Sequence, residues 1–105
     1  MSEEKLLRLC SKSEIEDQTS KRIILPEHDA IAVCRLGDKY YAVADTCSHG
    51  LASLSEGDIE DGQIYCPFHS GSFDIKTGAP VERPCTIAID TYPVIEKGED
   101  LFIEL

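Results

Sequence analysis

Two mixed cysteine–histidine pairs, Cys47-Ser48-His49-Gly50 and Cys66-Pro67-Phe68-His69-Ser70-Gly71, stand in a chain of 105 residues with sixteen residues between His49 and Cys66. Each pair offers one thiolate and one imidazole, the ligands that borderline and soft metal ions take. For all four to reach one centre, the segment between the pairs must turn back on itself. Asp61-Gly62, within that segment, suits the positive φ angles of a tight hairpin turn. The chain is thereby confined to folds that bring two loops together at one end.

The rest of the hydrophobic pattern is short-period and often broken. β-Branched and aromatic runs at residues 6–10, 23–25, 30–36, 39–44, 59–65, 86–92 and 101–105 read as strands, which makes the chain all-β. Gly37-Asp38 and Lys97-Gly98-Glu99-Asp100 are further turn signals. Ser13-Glu14-Ile15-Glu16 has the form of a capping box, but no apolar stripe follows it, so one short helical turn is expected there. Residues 45–57 and 66–84, rich in Gly, Ser, Pro and Cys, read as two long loops carried on the strands.

Zinc accepts two cysteines and two histidines tetrahedrally, and a zinc-stabilised interaction domain is the alternative from a different functional class. Its sites commonly pair like with like, as C-x(2-4)-C and H-x(3-5)-H. Here each loop contributes one of each. In a Rieske centre one iron takes two cysteines and the other two histidines, so a loop that delivers one of each clamps both irons.

On Cys47-Ser48-His49-Gly50, Leu54-Ser55-Glu56-Gly57, Cys66-Pro67-Phe68-His69, Gly71-Ser72-Phe73-Asp74 and Thr77-Gly78, the chain resembles the Rieske family. It resembles most the small ferredoxins of bacterial aromatic-ring-hydroxylating dioxygenases. The resemblance implies an antiparallel β-sandwich base with a small cluster-binding subdomain at about residues 45–78, residues 1–105 making one domain. It implies one [2Fe-2S] cluster held by Cys47, His49, Cys66 and His69. The implied activity is that of a one-electron carrier between a flavoprotein ferredoxin reductase, itself NAD(P)H-dependent, and a terminal oxygenase. A Rieske subunit of another redox system, such as nitrite reductase, is the nearest alternative. Quinol-oxidising relatives carry an extra cysteine in each loop; Ala52 and Phe68 stand at those places here, so no disulfide is expected between the loops.

Counting excludes several other chemistries. A two-histidine, one-carboxylate iron site needs two more histidines, and only His28 remains. His28, in Pro26-Glu27-His28-Asp29, reads as a solvent-facing turn residue. A Cys66–His69 nucleophile lacks an orienting third group, and no G-x-G-x-x-G marks a nicotinamide or flavin site. Cys10, Cys34 and Cys85 lie in or beside strand-like runs and read as small core residues. Five cysteines, an odd number, fit a reducing cytoplasm, and no run is long enough for a membrane helix. Met1-Ser2-Glu3-Glu4-Lys5 has no signal-peptide pattern.

Ten Lys and Arg stand against twenty Asp and Glu, a net charge of -10, which argues against nucleic acid and anionic membranes as partners. Between Lys39 and Lys76 there is no cation, while Asp45, Glu56, Asp58, Glu60, Asp61 and Asp74 lie there. Two readings stay open: a solvated acidic face, or a surface that steers basic partners toward the loops.

Overall fold

The computed structural model describes residues 6–25, 28–47, 52–67, 71–83, 85 and 87–104. Eleven strands occur among them: β1 (Leu6–Ser11), β2 (Ser20–Leu25), β3 (His28–Leu36), β4 (Lys39–Ala44), β5 (Ile59–Glu60), β6 (Gln63–Tyr65), β7 (Ser72–Asp74), β8 (Pro80–Glu82), β9 (Thr91–Tyr92), β10 (Val94–Lys97) and β11 (Asp100–Glu104). They form three antiparallel sheets, in the orders β1-β11-β10, β2-β3-β4-β9 and β5-β6-β7-β8. The third sheet lies, in sequence, wholly between β4 and β9.

All three turn signals sit where the hairpins need them. Two-residue turns close β3–β4 at the Leu36–Lys39 pair, β5–β6 at Glu60–Gln63 and β10–β11 at Lys97–Asp100. Gly37, Asp61, Gly62 and Gly98 have positive φ there, which matches the twist of the strands they join.

Alternation along β3 divides the interior into two cores. Ile31 and Val33 join Leu9, Ile23, Leu101 and Ile103 between the first two sheets. Ala32 and Cys34 face the other way, with Ile64, Phe73 and Ile75 of the third sheet and its turn. Successive side chains of a strand point to opposite faces, so a strand between two cores is apolar at consecutive positions. That accounts for the unbroken run Ala30–Cys34, and Ala42 and Val43 of β4 are divided in the same way.

Several expectations need correction. The segment 66–84 is not all loop: β7 and β8 lie in it, paired to β6 and to each other. Of 86–92 only Thr91 and Tyr92 form a strand, among the described residues; Ile89 instead donates its N–H to the Gly78 carbonyl, and Asp90 accepts from Ala44 N–H. β10, half polar after Pro93, was not anticipated. The capping pair is Ser11 with Glu14, two residues earlier than expected: the Glu14 carboxylate accepts from Ser11 N–H at 2.8 Å and Oγ at 3.0 Å, before a 3-10 turn over Lys12–Glu14. His28 is half-buried at the start of β3, its ring edge-on to Tyr92 at 5.6 Å.

Candidate metal centre

The first cysteine loop begins where β4 runs out. Asp45 keeps the ladder through its N–H to Ala30 O, and its own carbonyl accepts from Leu54 N–H. Cys47 N–H then donates to Ala52 O at 3.0 Å, and Thr46 bridges to Ser53. The second loop has the same plan: after β6, Cys66 N–H donates to Gly71 O at 2.7 Å, and β7 follows. Each loop is therefore a six-residue excursion whose cysteine is tied to the carbonyl five positions on, with a histidine of the motif inside it. These bonds close each loop on itself, and none of the five cysteines is in a disulfide.

Asp45 anchors the first loop. Its residue exposure is 1%, and its carboxylate accepts from Ser53 Oγ at 2.5 Å and from Ser55 N–H at 2.9 Å. Arg22 Nε of β2 lies 3.3 Å away. A buried carboxylate with these partners crosses the mouth of the loop and pins the 3-10 turn Leu54–Glu56 to the base. The sequence counted Asp45 with the acidic face; that reading is wrong for Asp45, because Ser53 and Ser55 reach it only once the loop has closed. Asp74 is likewise structural, accepting from Lys76 and Thr77 N–H. Gly78 follows with φ +77°, and a Cβ there would run into the Ile89 carbonyl.

The two cysteines are both buried, and they share one core with Leu54, Ile64 and Phe73. Cys85 joins them. Burial, together with the neighbouring Cys47 and Cys66, pushes its thiol pKa up to about 12. Cys34, buried in the same core, is also pushed up to about 12 by burial. Cys10 is a core residue too. Cys85 was expected to be only that, and its place beside Cys47 and Cys66 is what sequence reasoning missed. His49, His69 and Phe68 lie outside the described residues.

This donor set fits iron. Cys47 and Cys66 are buried in one core, and burial disfavours a thiolate unless a metal or cation stands beside it. Next to Cys66, Glu56, Asp58, Glu60, Tyr65 and Pro67 line a groove of about 560 Å³. Glu56, Asp58, Glu60 and Asp61 are exposed, so four of the six acids do form a surface.

Three antiparallel sheets and two six-residue loops that begin on neighbouring buried cysteines define an iron–sulfur protein of the Rieske kind. The chain belongs to the Rieske [2Fe-2S] domain family, which it matches over residues 5–93. It is 39% identical over 97 residues to the ferredoxin CarAc of Metapseudomonas resinovorans, covering 92% of this chain and 91% of that one. It is 47% identical over 76 residues to the 3-phenylpropionate/cinnamic acid dioxygenase ferredoxin subunit of Shigella boydii, covering 71% and 72%. The solved complex of reduced oxygenase and oxidised ferredoxin in carbazole 1,9a-dioxygenase contains a chain that superposes with a TM-score of 0.90 at 38% identity, over 94% of this chain and 92% of that one.

Proposed function

We propose that this chain is the ferredoxin of an aromatic-ring-hydroxylating dioxygenase system, an electron carrier and not itself an enzyme. Residues 1–105 act as a single Rieske domain in which Cys47 and Cys66 hold one iron and His49 and His69 the other. The convergence of the two cysteine loops on one buried place carries the reading, and near-full-length similarity to dioxygenase ferredoxins supports it. Bound there, the [2Fe-2S] group supplies a one-electron couple. The chain's own part is to close both loops, bury the sulfurs and present an acidic rim. A flavoprotein reductase and a terminal oxygenase are the partners, as the ferredoxin subunits among its relatives imply. We place the protein in the cytoplasm, where thiols stay reduced; among the described residues no helix is long and apolar enough to cross a membrane.

Purified protein should contain about two irons and two acid-labile sulfides per chain. Its visible and low-temperature EPR spectra should change to the reduced Rieske form on adding dithionite. Zinc without sulfide, in protein made with iron available, would favour the interaction-domain alternative and overturn the proposal.

The exposed acids beside Cys66 are placed to steer docking. Electron delivery from the reductase should slow as ionic strength rises to physiological values, where the screening length is about 8 Å. The triple substitution Glu56→Gln, Asp58→Asn, Glu60→Gln should slow the low-salt rate and flatten its salt dependence. Stopped-flow rates unaffected by either change would leave these acids as solvation alone.

A further inference from the structure

We infer that Gly57 is a positioning residue for the metal centre: having no side chain, it lets the end of the first ligand loop fix the orientation of Cys66 in the second. The inference rests on the reading of Cys66 as an iron ligand.

Backbone conformation does not call for glycine here. Gly57 follows the 3-10 turn Leu54–Glu56 with φ -94° and ψ 175°, an extended conformation open to any residue. The constraint is space. A Cβ on Gly57 would run into the Tyr65 carbonyl oxygen and stand 2.9 Å from the carbonyl carbon. Both are backbone atoms, which cannot swing aside as the end of a flexible side chain can. Gly62, in the turn of the hairpin that follows, is the opposite case: its φ is +76°, and a Cβ there would meet nothing within 4 Å.

Tyr65 immediately precedes Cys66, and the peptide between them is one rigid plane. Its carbonyl lies against the Gly57 Cα hydrogen that a side chain would replace. On its other side the Cys66 N–H donates to Gly71 O at 2.7 Å. The plane is thus held between the end of one ligand loop and the close of the other. Gly57 is itself fixed: its N–H donates to Leu54 O at 3.0 Å, and Leu54, fully buried, donates its own N–H to the Asp45 carbonyl. A methyl group at 57 therefore pushes the plane, and with it the Cα–Cβ bond that aims the Cys66 sulfur. Groups that orient a metal ligand tune the metal through it.

Gly57→Ala and Gly62→Ala, compared with the wild type as holoproteins, separate position from stability. Both should lower the melting temperature, the first through the contact and the second through its positive φ. Only Gly57→Ala should move the low-temperature EPR g values of the reduced protein. Its midpoint potential by protein-film voltammetry should move with them, by about threefold in the one-electron equilibrium, or about 28 mV at 59 mV per tenfold. Gly62→Ala should keep both at wild-type values. Unchanged g values and potential in Gly57→Ala, or an equal change in Gly62→Ala, would overturn the role of Gly57 while leaving the cluster reading untouched. A wild type without a Rieske signal would sink the cluster reading itself. Should Gly57→Ala take up no cluster, Gly62→Ala decides. Full iron and sulfide content there supports the inference, and loss of the cluster there too would overturn it, because any weakened hairpin would then do the same.

Discussion

Replacing Cys47 or Cys66 by serine is expected to abolish the Rieske visible and EPR spectra altogether and to loosen the segment 45–78. Each cysteine starts one loop and, in the proposed ligand set, supplies one of only two thiolates to its iron, for which serine is a poor substitute as a soft ligand. Because metal binding is counted within the folding free energy of the segment that makes the site, the loss spreads from the cluster to its support. The base should survive it. Its core of Leu9, Ile23, Ile31, Val33, Leu101 and Ile103 contains no residue from 45–89, so amide hydrogen exchange should quicken in β5–β8 and stay slow in β3 and β11. A Cys47→Ser or Cys66→Ser protein that kept the full spectrum would show that another cysteine is the ligand.

The second large effect is expected from Asp45→Ala. The substitution removes two hydrogen bonds to a buried carboxylate, from Ser53 Oγ and Ser55 N–H, each worth about 1.5–3 kcal/mol. Arg22 adds little, since its side chain is 52% exposed and an ion pair reaching into water contributes less than about 1 kcal/mol. Allowing for water entering the vacated space, the net loss is about 3 kcal/mol. For a chain of this size that lowers the melting temperature by about 10–20 °C. Asp45→Asn keeps the shape and an acceptor and should cost about half as much. Thermal melts followed in parallel by circular dichroism and by cluster absorbance check both values. A melting temperature within a few degrees of the wild type for Asp45→Ala would mean that the Cys47 loop is held by its backbone bonds alone.

Much of this protein was legible because its signals are local. A two-residue turn needs positive φ at named positions, and Gly37, Asp61-Gly62 and Gly98 announced three hairpins that form as written. The mixed spacing of Cys47, His49, Cys66 and His69 pointed to the Rieske kind of centre, where a loop with one ligand of each type clamps both irons, and the chain does belong to that family. The apolar run at 30–36 read as a strand, though not as one lying between two separate cores.

What only the tertiary structure decided are the interactions whose partners lie far along the chain. β7 and β8 are three residues each in a Gly- and Ser-rich stretch, and they are strands because β6 offers an edge to pair with. Ile89 is held by the Gly78 carbonyl and not by a strand, so its β-branched neighbourhood misled. Asp45 and Cys85 had no distinguishing pattern in the sequence. A carboxylate reads as solvated until two serines eight and ten residues on fold over it, and a cysteine reads as filler until a glycine fourteen residues earlier leaves room for its sulfur between two loops. Ligand spacing is a property of one short segment. Burial and hydrogen-bond partnership belong to the packed chain, and they settled which of the remaining polar and thiol groups attend the site.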